Sequence, residues 1–249
     1  MLENTIPQKI HYCWFGGKEK PPDVLSYIET WRKYLPEYEI IEWNEKNFSI
    51  KDSNPYVKEA YENKKWAFVS DYVRLYALYN YGGIYLDTDV QLFQSFNSLL
   101  YSEAFFGFES KDYLSTSVMG AISKHWFIKE FLCHYKTRHF IDENGNLDMS
   151  TTNVVVLTKL LRKYGLILNG KHQNVKGIDI YPQLYFSDNS FLNIFNKYRK
   201  GTFSYHHYSA SWYETITKSG IKKKIRHYLL GKARNILGTE TLYKVRHKK

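Results

Sequence analysis

Two carboxylates one residue apart, Asp87 and Asp89, are the side chains of this sequence best suited to chemistry. They follow the short apolar run Ile84-Tyr85-Leu86, which is typical of a buried strand. Because open α/β sheets bind ligands where their strands end, we expect the pair at such an edge. Carboxylate oxygens are hard ligands, so the spacing predicts a site for Mg²⁺ or Mn²⁺. For an isolated Asp-x-Asp pair, however, a hydrogen-bonded turn is the commoner interpretation.

A predicted helix just upstream shifts that balance toward a metal site. Asp71 and Arg74 are three residues apart and therefore share one helix face. Gly82-Gly83 predicts the end of this helix at Tyr81, because glycine adopts the left-handed cap conformation at little cost. The guanidinium group is suited to binding phosphate or orienting a carboxylate, although an exposed ion pair of small effect is the alternative. Together these charges favour a metal that neutralises a departing diphosphate.

Two aromatic clusters add candidates for ligand binding. Trp14 follows the first strand-like segment and is suited to stacking on a nucleobase, or to an ordinary place in the core or at its rim. Near the other end of the chain, His206 and His207 are adjacent. Residues next to each other in a strand face opposite sides, so one of the two is expected to ligate the metal. The alternative is one core and one surface histidine.

The remaining pattern predicts the elements that position these residues. Strands are predicted at residues 6–15, 38–43, 84–86, 103–108, 177–181 and 201–208, and helices at 23–34, from 54, up to 81, at 125–139 and at 151–163. Strands and helices alternate in the first half, which predicts an α/β fold with a mostly parallel sheet flanked by helices.

Composition and charge restrict the class of protein. The 249 residues are 43% hydrophobic and 24% charged, which favours a packed globular chain over disorder. Two cysteines give no disulfide framework, and no run of about 18 apolar residues occurs. Met1 leads directly into a strand-like segment, so we expect no signal peptide and a cytoplasmic location.

The net charge of +10 is confined to the C-terminal tail, residues 218–249. The tail holds 11 of the 35 basic residues and one of the 25 acidic residues, which leaves 24 of each sign in residues 1–217. We therefore predict a neutral domain at 1–217 followed by a basic helical tail, and no nucleic-acid partner. Two interpretations of the tail stay open: an amphipathic segment on the inner face of the cytoplasmic membrane, and a solvated helix.

Three stretches resemble a single family, glycosyltransferase family 32, whose members carry an Asp-x-Asp motif and use sugar nucleotides. The family includes bacterial capsular-polysaccharide enzymes and yeast initiating mannosyltransferases, with the glucosyltransferase domains of large clostridial toxins as distant relatives. The stretches are Ile6-Pro7-x-Lys9-Ile10-His11-x-x-Trp14-x-Gly16-Gly17, Ser70-Asp71-x-x-Arg74-x-x-x-Leu78-x-x-x-Gly82-Gly83-x-Tyr85-x-Asp87-x-Asp89 and His206-His207-x-x-x-Ser211-Trp212. The resemblance covers roughly residues 6–212 and implies a GT-A fold with the metal motif at the strand ends.

The resemblance also implies roles for residues that bind the donor. Tyr12 and Trp14 would lie at the nucleotide, with Trp14 stacked on uracil or another base. Asp71 and Arg74 would hold the donor sugar and the ribose or phosphate. Asp87 would contact ribose or sugar hydroxyls and assist the metal. The expected catalytic residues are Asp71, Arg74, Asp87 and Asp89.

The metal site and its cover follow from the same resemblance. Asp89 would bind Mn²⁺ or Mg²⁺ directly, and His206 or His207 would complete the metal shell. Ser211 and Trp212 would cover the diphosphate. The sequence does not favour one histidine over the other, so both remain candidate ligands.

The implied activity is the retaining, metal-dependent transfer of a hexose from a nucleotide sugar, with a UDP-hexose as the expected donor. The expected acceptor is a glycan or lipid-linked oligosaccharide of a bacterial capsule or other surface polysaccharide. No carboxylate stands out as a nucleophile, which favours front-face attack by the acceptor hydroxyl. The alternatives are an effector that glycosylates a protein and a non-catalytic module that binds sugar nucleotides.

Overall fold

The computed structural model describes residues 6–148, 151–187 and 201–209, and in them a central sheet lies between helices. The strands are β1 (Lys9–Cys13), β2 (Glu39–Trp43), β3 (Gly83–Leu86), β4 (Val90–Leu92), β5 (Ala104–Phe108), β6 (Leu114–Ala121), β7 (Gln173–Val175), β8 (Ile178–Tyr181) and β9 (Ser204–His206). The helices are α1 (Pro22–Tyr34), α2 (Pro55–Glu62), α3 (Trp66–Tyr81), α4 (Trp126–Cys133), α5 (Asn153–Arg162) and the single turn α6 (Gln183–Phe186), with a 3₁₀ turn at Asn97–Leu99.

Seven strands form the main sheet, in the order β2-β1-β3-β6-β5-β8-β7. The predicted α/β class and its flanking helices are confirmed. The sheet is mixed rather than mostly parallel, because β6 runs antiparallel to both β3 and β5, and β7 antiparallel to β8. The sequence prediction omitted β6, whose Ser- and Thr-rich first half lacks the apolar pattern of a buried strand.

Strand direction places the candidate residues on one edge of the sheet. β1 and β3 pair in parallel, with His11 opposite Tyr85, so their carboxyl ends lie side by side. β3 and β5 each pair antiparallel with β6 and therefore run in the same direction. Asp87 follows β3 and Glu109 follows β5, so both lie at this carboxyl edge.

Local sequence accounts for most of the predicted helix boundaries. Asn54 caps α2 by accepting a hydrogen bond from the Val57 backbone N–H at 3.0 Å. Gly82 ends α3 with φ at +64°, as the glycine pair predicted. The helix predicted at 125–139 is shorter and ends at Cys133. Beyond this helix end, the Glu59 carboxylate accepts hydrogen bonds from the backbone N–H groups of residues 140 and 141.

Buried apolar side chains fill both faces of the sheet. One face packs beneath α2, α3, α4 and α5, and the other beneath α1 and the 3₁₀ turn. β4 and β9 pair as a separate two-stranded sheet, in which Val90 lies opposite His206. That pairing brings a residue from the C-terminal part of the described chain next to the Asp-x-Asp pair.

None of the helices within 6–148, 151–187 and 201–209 has the length and apolar character needed to cross a bilayer. The predicted domain boundary after residue 217, the basic tail, Ser211 and Trp212 lie outside the described residues.

Candidate active site

Three potential metal ligands converge at the carboxyl edge of the sheet. Asp87, Asp89 and His206 each direct one ligand atom to a common point, with all three atoms within 4.8 Å of one another. The Nε2 atom of His206 lies 3.1 Å from Oδ1 of Asp89. The other carboxylate oxygen of Asp89 accepts a hydrogen bond from the Ser209 backbone N–H at 2.7 Å. Two carboxylates and an imidazole thus form one compact group.

The charges in this group stabilise each other. Burial opposes ionisation of Asp89, but the charge and hydrogen bond of His206 outweigh it and lower the pKa of Asp89 below its usual range. In turn, burial disfavours imidazolium at His206, while the Asp89 carboxylate raises the pKa of His206. Without a cation, a proton on His206 offsets the Asp89 charge, and a divalent ion would compete with that proton.

His207, the second candidate histidine, points elsewhere. Its ring stacks on Tyr27 with centroids 4.3 Å apart, and its Nε2 lies 3.0 Å from Oε1 of Gln91. Its backbone N–H donates to the Asp89 carbonyl oxygen at 2.9 Å. The structure therefore brings His206, and not His207, to the carboxylates. His207 instead contacts α1 and β4.

Arg74 links the two carboxylates that precede the metal group. Its side chain is 6% exposed, and its guanidinium lies 3.2 Å from both the Asp71 and the Asp87 carboxylate. The same group donates to the Thr116 carbonyl oxygen at 2.8 Å and lies over the Tyr85 ring, 4.6 Å from its centroid. Arg74 thus forms buried ion pairs with two carboxylates. This excludes the alternative that Asp71 and Arg74 form an exposed surface pair.

Asp71 is a largely buried carboxyl that contacts Arg74. Burial raises the pKa of Asp71 to about 6, against the opposing effect of the Arg74 charge. The Asn153 side chain donates to the Asp71 backbone carbonyl at 2.9 Å. Asn153 also accepts a hydrogen bond from the hydroxyl of Tyr135. The start of α5 therefore anchors the segment that carries Asp71.

The candidate nucleotide residues lie where β1 ends. Tyr12 donates its hydroxyl to Glu42 at 2.5 Å, and Trp14 donates its indole N–H to the Lys18 carbonyl oxygen at 2.5 Å. The Lys20 ammonium lies 5.8 Å from the Tyr12 ring and 5.7 Å from the Trp14 ring. Between the two aromatics, burial raises the pKa of the Cys13 thiol to about 12, against the opposing effect of the Arg74 charge. Tyr12 and Trp14 thus lie at the carboxyl end of β1, the strand that pairs in parallel with β3.

The residues present fit a divalent cation. Mn²⁺ and Mg²⁺ favour carboxylate oxygens, and Mn²⁺ also accepts an imidazole. His206 has a second ring nitrogen, Nδ1, that is buried without a hydrogen-bond partner, so the described residues hold this ring chiefly through the nitrogen facing Asp89. Asp87, Asp89 and His206 would hold the ion, and Arg74 would remain beside it as a fixed positive charge.

A family model describes this part of the chain. The glycosyltransferase sugar-binding region containing the DXD motif matches residues 21–106, which hold Asp71, Arg74, Asp87 and Asp89. The match covers less than half of the chain and supports its resemblance to glycosyltransferase family 32.

Curated relatives of this chain include yeast enzymes. Mannosyl phosphorylinositol ceramide synthase SUR1 of Saccharomyces cerevisiae is 32% identical over 146 residues, which are 55% of this chain and 37% of that protein. The synthase CSH1 of the same yeast is 25% identical over 235 residues, 92% of this chain and 57% of that protein. The chain thus matches less than two thirds of the length of either relative. Among solved structures, the galactosyltransferase LgtC with donor and acceptor sugar analogues gives a TM-score of 0.46 at 14% identity, covering 89% of this chain and 95% of that one.

The sequence did not point to three residues that contact the site. Tyr85 supports Arg74 and donates its hydroxyl to Asp87 at 3.0 Å, and Thr116 supplies the carbonyl that Arg74 binds. Asn153 lies near the start of the helix predicted at 151–163, and its side chain binds the Asp71 carbonyl. A polar residue at a helix start was the available signal for Asn153, and contact across 82 residues has no local signature.

Proposed function

We propose that this chain is a metal-dependent glycosyltransferase that moves a sugar from a nucleotide donor to an acceptor hydroxyl. The observation that carries the proposal is the convergence of Asp87, Asp89 and His206 beside the buried Arg74. A divalent cation at the first three residues would neutralise the charge that develops on the diphosphate as it leaves. The family and its DXD model support this chemistry.

Each side chain of the site has a proposed part in the reaction. Arg74 donates hydrogen bonds to the nucleotide sugar. Its contacts with Asp71 and Asp87 hold both carboxylates in the same positions throughout turnover. Asp71 and Asp87 accept hydrogen bonds from sugar or ribose hydroxyls. Trp14 stacks on the base, and Tyr12 borders the same pocket. The expected roles of Ser211 and Trp212 at the diphosphate remain proposals from sequence.

We propose that transfer retains the configuration at the anomeric carbon by front-face attack. The bond between that carbon and the diphosphate oxygen breaks, a bond to the acceptor oxygen forms on the same face, and the hydroxyl proton passes to the departing phosphate. The motive is that no carboxylate stands out in the sequence as a nucleophile. Trapping of a covalent glycosyl-enzyme with a slow substrate, detected by intact mass spectrometry, would refute this course.

Two donor classes remain to be separated. The sequence leads us to expect a UDP-hexose, with galactose or glucose as the sugar. The relatives are named for mannosyl transfer to inositol phosphoceramide, which supports mannose as the competing sugar. A thermal-shift screen of UDP-galactose, UDP-glucose and GDP-mannose, each with and without Mn²⁺, distinguishes the classes, because a ligand that binds only the folded state raises the midpoint.

The proposed acceptor is a hydroxyl on a lipid-linked glycan or lipid head group. The neutral body and the basic residues 218–249 suit an acceptor held at an anionic membrane surface. Transfer to a protein is the alternative, and a protein labelled with radioactive sugar in place of lipid would establish it. A module that only binds would raise the thermal midpoint with a donor but release no sugar from it.

A further inference from the structure

We propose that Arg138 is a positioning residue of the donor-sugar site, acting on Asp71 through Tyr135 and Asn153. This inference rests on the proposed function for its catalytic consequence. Its structural part, that Arg138 sets where the Asn153 side chain points, stands on the contacts of the described residues.

Arg138 has the contacts of a rigid clamp. It lies between α4 and α5, and one of its terminal nitrogens donates to Asp148 Oδ2 and to the Thr151 carbonyl oxygen, each at 2.8 Å. Its guanidinium lies over two rings, 4.6 Å from the Tyr56 centroid and 5.5 Å from that of Tyr135. The side chain is only 10% exposed. A planar group that stacks and donates at once has little freedom to move.

The clamp continues to the active site through two hydrogen bonds. Tyr135 is fully buried, packs edge-on against Tyr56 at 4.9 Å and donates its hydroxyl to Oδ1 of Asn153. That bond leaves the amide nitrogen of Asn153 to donate to the Asp71 carbonyl oxygen at 2.9 Å. Asp71 in turn contacts Arg74 at 3.2 Å. Displacing Tyr135 would therefore allow the Asn153 amide to turn away from the Asp71 carbonyl oxygen.

Charge gives Arg138 a second effect on the same carboxylate. Asp71 and Asp87 bring two negative charges together, and Arg74 is the cation in contact with both. The Arg138 charge also favours ionised Asp71, against the larger effect of burial. Arg138 is thus a second cation near the proposed sugar-binding carboxylate of Asp71, and it acts on that carboxylate without direct contact.

The segment between α4 and α5 offers a matched control. Its first part is held by Glu59, whose carboxylate accepts from the Phe140 and Ile141 backbone N–H groups at 2.7 and 3.0 Å. Glu59 makes none of the contacts that lead to Asn153. Loosening the segment at Glu59 and at Arg138 therefore separates general destabilisation from positioning of Asp71.

The test uses the full chain with Arg138→Gln, Tyr135→Phe, their double variant and Glu59→Gln. We expect kcat for sugar-nucleotide turnover to fall at least tenfold in each of the first two, with Mn²⁺ affinity within twofold of the parent. The double variant should be no more than twofold slower than the slower single variant, because both changes interrupt one path. Glu59→Gln should lower the thermal midpoint while kcat stays within twofold.

Losses that multiply in the double variant, or an equal loss of kcat in Glu59→Gln, would overturn the proposal. If Arg138→Gln does not fold, Arg138→Lys takes its place in the cycle, since lysine keeps the charge but cannot stack as a plane. Crystal structures of the single variants give a readout independent of turnover: the Asn153 amide should leave the Asp71 carbonyl oxygen. An unmoved amide refutes positioning, whereas a moved amide in a chain that consumes no donor refutes the proposed function alone.

Discussion

At the scale of single residues, the site is an arrangement of buried charges that compensate each other. Asp89 is paired with His206, and Asp71 and Asp87 with Arg74. The spacing of the four residues from 71 to 89 predicted that their side chains lie close together, because a helix face, a glycine stop and a strand end are local features. The choice between the two histidines was not predictable, because it depends on how β9 pairs with β4.

The first prediction distinguishes those histidines by metal affinity. His206→Ala should weaken Mn²⁺ binding by about 10-fold or more, because it removes a ligand and leaves Asp89 without its partner. His207→Ala should change Mn²⁺ affinity by less than about threefold, since its side chain contacts Tyr27 and Gln91 instead. Titration of Mn²⁺ followed by electron paramagnetic resonance measures both. Equal weakening in the two variants would contradict the assignment of His206.

At the scale of elements, the passage from α3 to β3 sets the position of Asp87. Gly82 and Gly83 have φ values of +64° and +105°, and a Cβ on Gly83 would lie 2.7 Å from the Lys9 carbonyl oxygen of β1. The glycine pair was readable from sequence as a helix stop. Its second reason, the close approach of β1, was not readable, because it depends on strand order.

Gly83→Ala is expected to destabilise the chain through that contact. The left-handed φ costs about 1–3 kcal/mol for a residue with a Cβ, and the overlap with β1 adds to it. Gly145→Ala is the control, since Gly145 also has a positive φ, +81°, but open space where a Cβ would lie. Urea unfolding should show Gly83→Ala losing at least about 2 kcal/mol more than Gly145→Ala. Equal losses of unfolding free energy in the two variants would mean that β1 shifts to accommodate the added Cβ, which would contradict the predicted overlap.

β1 is also tied to the end of α3 by a histidine that should make folding pH-dependent. His11 is fully buried, with Nε2 at 2.8 Å from the Gly82 carbonyl oxygen and Nδ1 at 3.1 Å from the Trp43 indole nitrogen. Burial lowers the pKa of His11 from 6.5 to about 4, with the Gly82 hydrogen bond opposing. The unfolded chain therefore binds a proton at a pH where the folded chain does not.

The consequence is a loss of stability as pH falls from about 6.5 toward 4. Above pH 6.5, His11 is neutral in both the folded and the unfolded chain, so its protonation does not reduce the free energy of unfolding. Across it the loss reaches about 3 kcal/mol, since each tenfold difference in proton affinity is worth about 1.4 kcal/mol. His11→Gln keeps a donor for Gly82 but does not titrate. Urea unfolding at several pH values should give the wild type the steeper decline, and parallel curves would contradict the assignment.

At the scale of the whole molecule, charge is separated along the chain. Residues 1–217 carry equal numbers of basic and acidic side chains, and residues 218–249 carry the whole excess. The α/β class followed from the early alternation of strands and helices. The mixed strand direction could not be predicted from the sequence, because β6 lies between β3 and β5 in the sheet and yet lacks the apolar pattern of a buried strand.

The charge separation predicts that deleting residues 218–249 abolishes binding to vesicles containing anionic lipid. Turnover of free sugar nucleotide should remain within about twofold, because the described site uses no residue of the deleted segment. Vesicle sedimentation at low and physiological salt measures binding, which salt should weaken if charge drives it. Sedimentation unchanged by the deletion would contradict membrane binding by the tail.

The role of a cation at Asp89 is measured by the Mn²⁺ dependence of sugar-nucleotide turnover in wild type and Asp89→Asn. The substitution keeps the size of the side chain but removes the charge that His206 and the cation share. Asp52→Asn, an exposed carboxylate bonded to Ser49, is the control. We predict Mn²⁺-activated release of nucleotide in wild type and control, and at least about a 100-fold loss in Asp89→Asn. Turnover by Asp89→Asn at the wild-type rate, or wild-type turnover unaffected by chelation of Mn²⁺, would contradict a metal-dependent site at Asp89.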